Sequence, residues 1–172
     1  MGLVRLDRSP AGGWRPGAPK PAYDAVRAVV RGVDDVSAIQ RNCALDHAMD
    51  NRAAAEGQVA YLYCLLLARK VDGAGLRDWT ARRNEGAGIP AILRAMAGSE
   101  EFGARHRTSF LSDERFVVLA YRLLLERAPD EQGKRDYTAA LKHARLTRPE
   151  LIAAMAGSDE FKLLHKVLFQ QS

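Results

Sequence analysis

An internal repeat limits the folds open to this chain more than any other feature of its sequence. Residues 61–67 read YLYCLLL and residues 119–125 read LAYRLLL. Residues 95–102 read AMAGSEEF and residues 154–161 read AMAGSDEF. A repeat at a nearly constant period indicates that one supersecondary unit is used twice. The chain is therefore expected to contain two copies of one unit.

The repeat divides most of the chain into copy one, residues 59–107, and copy two, residues 112–168. Positions that recur in both copies are expected to serve the architecture of the unit rather than a chemical reaction. This shared signature consists of Arg69, Asp72, Gly75, Trp79, Ser99 and Phe102 in copy one, and of Arg127, Asp130, Gly133, Tyr137, Ser158 and Phe161 in copy two.

The apolar residues of both copies are spaced as in helices. Phe116, Ala120 and Leu123 are separated by four and three residues, which is the stripe of a core-facing helix. No segment shows the alternation of apolar and polar residues that a half-buried strand requires. Each copy alone is small for a stable core, so the copies are expected to pack together. The sequence predicts an all-α fold with two tandem four-helix repeats.

Two further segments precede the repeats. Residues 22–58 carry apolar residues at helical spacing, which predicts two or three N-terminal helices. Residues 1–21 are rich in proline and glycine, and this composition predicts a flexible or extended arm that forms neither a helix nor a ladder. Trp14 interrupts the arm and is a candidate for docking on the helical body, because a large aromatic side chain is rarely left in water.

The turn after the first helix of each copy contains an arginine, an aspartate and a glycine at equal spacing. Asp72 and Asp130 are expected to cap the next helix, and the glycine is expected to let another backbone come close. The arginine can pair with the aspartate or reach the preceding helical carbonyls. An ion site is the alternative, but one carboxylate per turn does not supply six oxygen ligands. Ser99 and Ser158 are interpreted as helix caps in the same way.

No catalytic, metal or cofactor constellation is apparent. The serines do not lie in a G-x-S-x-G sequence, and the four histidines do not have metal-ligand spacing. His106 and His165 fall at equivalent places near a helix end, where a positive charge is favourable. Cys43 and Cys64 have no C-x-x-C spacing and are interpreted as buried thiols in a reducing compartment. We predict a protein that is not an enzyme and has no cofactor.

The two copies differ in charge on one predicted helix face. Arg82 and Arg83 replace Ala140 and Leu141, so a face that is apolar in copy two is cationic in copy one. Arginine suits carboxylate and phosphate groups, whereas a solvated face that covers Trp79 is the simpler interpretation. The candidate partner-binding residues are Trp14, Arg77, Arg82, Arg83, Arg94, Arg105 and Arg107.

The signature, together with the Gly-Ser-x-Glu-Phe sequence, resembles the bacterial domain-of-unknown-function family numbered 4214. The resemblance covers roughly residues 59–106 and 116–165, with Val71 and the pair Arg82 and Arg83 departing from the pattern in copy one. It implies tandem helical modules, similar to the linker domains of phycobilisomes, that accompany surface, secreted or polysaccharide-related bacterial proteins. No catalytic residues are implied.

The formal net charge of +5 and a pI near 9.5 favour an acidic partner. We expect a helical interaction or adaptor module in an assembly or cell-envelope context, with a protein partner or self-association. The alternatives are an acidic envelope polysaccharide and, further down, nucleic acid. No apolar run can span a membrane, and the first residues lack a signal peptide, which predicts a cytoplasmic protein with leaderless export or envelope association left open.

Overall fold

The computed structural model describes residues 6–8, 14–16 and 54–169. Residues 54–169 form helices joined by short turns, so the predicted all-α class is confirmed there. The α-helices are α1 Ala54–Leu67, α2 Gly73–Asn84, α3 Ile89–Ala97, α4 Glu100–Arg105, α5 Asp113–Leu125, α6 Glu131–Lys142, α7 Arg148–Ala156 and α8 Asp159–Leu164. Short 3-10 helices, Thr108–Phe110 and Lys166–Leu168, follow α4 and α8. Apart from positions 54–58, which belong to α1, the predicted N-terminal helices lie outside the described residues.

The helices begin where local capping chemistry predicts. Asp72 accepts a hydrogen bond from the Gly75 N–H at 2.8 Å and thereby starts α2, and Asp130 starts α6 by the same contact with Gly133. Thr147 and Glu150 form a reciprocal capping box at α7. Ser99 and Ser158 start α4 and α8 by accepting from the N–H three residues ahead, at 3.2 Å in both cases. The predicted caps are confirmed.

The core lies between helices that occupy equivalent places in the two copies. α3 packs along α7, and Ile92 and Leu93 of α3 are fully buried, as are Leu151 and Ile152 of α7. α1 is buried on most of its circumference and packs on α2, α3, α4 and α5. Helices of residues 59–107 and of residues 112–168 therefore share buried apolar surface.

Arg148 holds the connection between the copies against α7. Its guanidinium donates to the carbonyl oxygens of Thr108 and Leu111, both at 2.6 Å, and to Asp113 at 2.9 Å. It also lies 5.0 Å from the centre of the Phe116 ring. Because Ile89 stands at the equivalent place in copy one, the sequence repeat gives no sign of this contact.

Residues 6–8 and 14–16 belong to a separate unit, residues 1–36, and are described by themselves. Strands β1, Leu6–Arg8, and β2, Trp14–Pro16, pair antiparallel with Leu6 opposite Pro16. The prediction that the proline- and glycine-rich arm forms no ladder is therefore wrong. The physical reason is that Pro16 stands at the last position of an edge strand, where the missing N–H costs no ladder hydrogen bond.

Candidate functional site

The twin turns after α1 and α5 are tied to the start of the fourth helix of the same copy. Arg69 binds Glu101 through two parallel hydrogen bonds, of which the Nη2 to Oε2 distance is 2.8 Å, and reaches Asp72 at 3.2 Å. In copy two Arg127 binds Glu160 in the same way, at 2.5 and 2.9 Å. The predicted pairing with the aspartate is present, but the principal partner is the glutamate. Both glutamates belong to the repeated sequence Gly-Ser-x-Glu-Phe, and this recurrence could have identified them as the partners of the two arginines.

These contacts hold the carboxylates in the charged form. The bidentate Arg69 guanidinium lowers the pKa of Glu101 below its usual range, and the Gly75 N–H lowers the pKa of Asp72. Arg127 lowers the pKa of Glu160 in the same way. The charged oxygens of the twin turns are therefore engaged in holding helices together, which favours the capping interpretation over an ion site. Among residues 54–169 no group of three or more His, Cys, Asp or Glu is placed to hold a metal ion.

The signature glycines make room for a tyrosine ring. A Cβ atom added to Gly75 would lie 3.1 Å from Cζ of Tyr63 and closer still to its hydroxyl oxygen. At Gly133 the corresponding distance to Cζ of Tyr121 is 3.2 Å. The prediction of a close backbone at these glycines is wrong, because the approaching group is a side chain. The tyrosine rings are covered on one face by the arginines of the turns, Arg69 at 4.9 Å from the centre of the Tyr63 ring.

The twin histidines bond across helices. Nε2 of His106 donates to the Leu66 carbonyl oxygen and Nε2 of His165 donates to the Leu124 carbonyl oxygen, both at 2.8 Å. Burial lowers the pKa of both imidazoles, so they are neutral at pH 7. The interpretation as cations favoured by a helix end is therefore wrong, since each ring is withdrawn from water and bonded to a carbonyl.

His165 also joins the two copies. Its Nδ1 accepts a hydrogen bond from the Tyr61 hydroxyl at 2.8 Å, and the two side chains are almost completely buried. Burial raises the pKa of Tyr61 to about 12. Leu119 stands in copy two where Tyr61 stands in copy one, so this polar contact breaks the symmetry of the pair.

Three of the candidate partner-binding arginines make contacts within the chain. Arg82 pairs with Asp78 at 3.1 Å and lies 4.6 Å from the centre of the Trp79 ring, as the interpretation of a solvated face implies. Arg83 donates to Gln58 Oε1 at 2.8 Å. The guanidinium of Arg105 donates to the carbonyl oxygen of Ala68 at 2.7 Å.

The other arginines, Arg77, Arg94 and Arg107, are exposed. Trp14 lies in β2, and its predicted docking concerns a side chain outside the described part of the structure. A partner site on this face of copy one remains a prediction, and there the guanidinium of Arg82 lies over the Trp79 ring.

Copy two presents a groove of about 440 Å³ over the outer face of α6, which we call the α6 groove. Its lining residues are Glu114, Glu131, Lys134, Arg135, Thr138, Ala139, Lys142 and His143. Lys134 pairs with Glu114 across the groove at 2.5 Å, and this contact raises the pKa of Lys134. Arg135, Lys142 and His143 are exposed at the rim. Arg135 and Lys142 therefore give the rim two cations that no carboxylate among the described residues of the groove pairs with directly.

Part of the positive charge of the α6 groove is particular to copy two, because Arg135 has a counterpart in Arg77 but the two lysines of the groove have none. Leu76 stands in copy one where Lys134 stands in copy two, and Asn84 stands in place of Lys142. Residues that the shared fold does not require are the ones free to serve binding. The sequence analysis did not predict this groove, because its candidate binding residues were the arginines of copy one. A comparison of the lysines in the two copies would have identified the groove.

Cys64 is disulfide-bonded. The interpretation of Cys64 as a buried thiol is therefore wrong. The other cysteine of the chain, Cys43, lies outside the described residues. Loop-closing bonds of this kind are not visible in cysteine spacing, because the two sulfur atoms are brought together by the fold and not by the local sequence.

Residues 94–165 match the family described as Domain of unknown function (DUF4214). The match begins within α3 and ends at His165, so it contains all of copy two's α-helices and α4 of copy one. The resemblance inferred from the signature is confirmed over this range. No curated protein and no solved structure matches the chain. Within the described residues, none of the helices has the length and apolar character needed to cross a membrane.

Proposed function

We propose that this protein is a non-enzymatic interaction module that binds an acidic segment of a partner protein in the α6 groove. The observation that carries the proposal is the exposed basic rim of the groove, in which Arg135 has the counterpart Arg77 but Lys142 is replaced by Asn84 in copy one. The signature residues support the same conclusion, because their charged groups are engaged in contacts between helices. A binding function fits residues that differ between the copies, and a scaffold function fits those that do not.

The chemistry of the groove favours an acidic peptide. Arg135 and Lys142 are two helical turns apart on the exposed side of α6, which separates them by roughly 10 Å at 1.5 Å per residue. Arginine and lysine at this spacing can pair with carboxylates on successive turns of a bound segment, and Ala139 between them leaves an apolar contact. A bacterial assembly or cell-envelope setting is part of the proposal. The disulfide at Cys64 supports it, since such bonds persist in oxidising compartments.

An acidic envelope polysaccharide is the second candidate. The exposed cations of an open groove also suit a polymer with a repeating negative charge. Nucleic acid remains a further alternative, and salt dependence separates it, because the logarithm of its affinity falls linearly with the logarithm of salt concentration.

The test is fluorescence anisotropy with three labelled probes of matched charge: a glutamate-rich peptide, an oligogalacturonate and a single-stranded oligonucleotide. The groove variant is Arg135→Glu with Lys142→Glu, and the matched control with the same charge change is Arg77→Glu with Arg107→Glu. We expect peptide affinity to fall about tenfold or more in the groove variant and less than about twofold in the control.

Preference for the oligogalacturonate with the same dependence on the groove variant would favour the second candidate. Equal loss in both variants, or equal binding of all three probes with a steep salt dependence, would mean that the attraction is a property of net charge. In that case the α6 groove is not the binding site and the proposal is rejected.

A further inference from the structure

A group of large apolar side chains faces water at residues 163–169, which we call the 163–169 patch. Leu163, Leu164, Val167 and Phe169 are 66%, 47%, 39% and 39% exposed. Among the described residues only one other large apolar side chain is comparably exposed, Phe110 at 83%. Grouped exposure of this kind marks an interaction surface, whereas single exposed apolar residues are ordinary.

The patch is held rigidly by the opposite face of the same segment. Phe161, His165 and Leu168 are at most 1% exposed and anchor α8 and the following 3-10 helix in the core. The carbonyl oxygen of Leu168 also accepts a hydrogen bond from the Gln58 side chain at 2.8 Å. Leu163 of α8 and Val167 of the following 3-10 helix are exposed on a segment whose inward face is fixed.

Copy one provides an internal comparison. The positions equivalent to Leu163, Leu164 and Val167 hold Ala104, Arg105 and Thr108. Phe169 differs from these three, because its counterpart is the exposed Phe110. The shared fold therefore does not demand Leu163, Leu164 and Val167, and something other than folding must account for these three apolar side chains.

Lysines accompany the apolar side chains. Lys162 and Lys166 are exposed, and residues 162–169 contain no acidic residue. Lys162 has one long contact with Asp159, at 3.4 Å, and Asp159 is itself fully exposed. Outward leucines and valine beside lysines form the combination that binds at the interface of an anionic bilayer, where the apolar groups enter the acyl boundary and the cations stay with the headgroups.

We propose that the 163–169 patch docks the protein on an anionic lipid bilayer, with Leu163, Leu164, Val167 and Phe169 inserted at the interface and Lys162 and Lys166 against acidic headgroups. This docking is separate from the α6 groove and does not rest on the function proposed for it. A second copy of the chain is a less suitable occupant. A two-fold contact through the same patch brings the lysines of both copies towards one another.

The test is co-sedimentation of the full chain with vesicles of phosphatidylcholine alone and of phosphatidylcholine with phosphatidylglycerol. We expect binding to the anionic vesicles, at least about tenfold weaker for Leu163→Ser with Val167→Ser. Lys162→Gln with Lys166→Gln should weaken it by about fivefold for each lysine removed, with binding also falling as salt is added. Phe110→Ser, a change of a still more exposed apolar residue outside the patch, should leave binding unchanged.

The lysine variant keeps the test informative if the serine variant alters folding, because it leaves the apolar core untouched. The proposal is overturned if the full chain ignores anionic vesicles, or if Phe110→Ser weakens binding as much as the patch variants. It is also overturned if sedimentation equilibrium without lipid shows a dimer that Leu163→Ser with Val167→Ser abolishes. That result would assign the patch to self-association.

Discussion

Gly133→Ala tests the close contact between a signature glycine and a tyrosine ring. The added Cβ would lie 3.2 Å from Cζ of Tyr121 and closer to its hydroxyl oxygen, whereas an ordinary contact is 3.4–4 Å. The ring cannot easily retreat, because it is 5% exposed, lies beneath the Arg127 guanidinium at 5.1 Å and meets the Tyr137 ring edge at 6.2 Å. We therefore expect the substitution to destabilise the protein.

The magnitude follows from two opposing effects. Overpacking of a well-filled site costs about 1–3 kcal/mol, and replacement of glycine by alanine in a helix recovers up to about 1 kcal/mol. Because the added Cβ would lie far inside contact distance of the hydroxyl oxygen, the overpacking cost should be about 2–3 kcal/mol, which leaves a net loss in the free energy of unfolding of about 1–2 kcal/mol. In a Tyr121→Phe background the hydroxyl oxygen is gone, and the same glycine substitution should cost less than about 0.5 kcal/mol.

Urea denaturation of the four proteins of this cycle measures the coupling free energy, which should be about 1–2 kcal/mol. Gly57→Ala is the matched control, because Gly57 lies in α1 with nothing within 4 Å of an added Cβ. It should raise the free energy of unfolding by up to about 1 kcal/mol. A Gly133→Ala protein as stable as the parent, or a penalty unchanged by Tyr121→Phe, would refute the steric argument.

Three further predictions concern stability. Burial lowers the folded-state pKa of His106 and His165 below the usual value of 6.5, so the unfolded chain takes up protons that the folded chain does not. The free energy of unfolding should therefore fall as pH drops from 7 to 5. His165→Gln should reduce that dependence on pH in denaturation series at both pH values. Ala144→Gly should raise the melting temperature, because Ala144 has a φ of 51° and glycine adopts a positive φ without strain. Gly86→Ala should lower the melting temperature, because φ at Gly86 is 99°. Each change is worth about 1 kcal/mol, and a shift in the same direction for both would contradict the backbone argument. Ser158→Ala should cost about 1 kcal/mol in chemical denaturation and Ser158→Asp almost nothing, so an equal loss in both would show that the side-chain cap is unimportant.

The helices and their starts could be predicted because the causes are local. Asp72, Ser99 and Thr147 bond to N–H groups three residues ahead, so a short window of sequence contains both partners. The recurrence of the signature likewise identified positions that serve both copies. The choice of partner for Arg69 was missed in part, since Glu101 lies far along the chain and meets it only after α4 packs beside α1.

The candidate surfaces depended on the tertiary structure still more. The candidate arginines of the sequence analysis lie in copy one, but Arg83 and Arg105 donate hydrogen bonds to acceptors of their own chain. Helical spacing predicts that Phe161 and Leu164 of the last helix both turn inward. Phe161 is indeed buried, but Leu164 is 47% exposed. Helical spacing alone cannot say how wide the buried stripe of a short helix is, because the neighbouring helices determine it.

The amino-acid sequence by itself determined a duplicated helical unit, its caps and its turns, because these depend on residues within a few positions of one another. Only the tertiary structure decided that Tyr63 occupies the space above Gly75, that Tyr61 bonds His165 between the copies, and which cations remain exposed. Such contacts join residues that are distant in the chain. Their geometry depends on the angle and depth at which helices pack, and local sequence does not encode these directly.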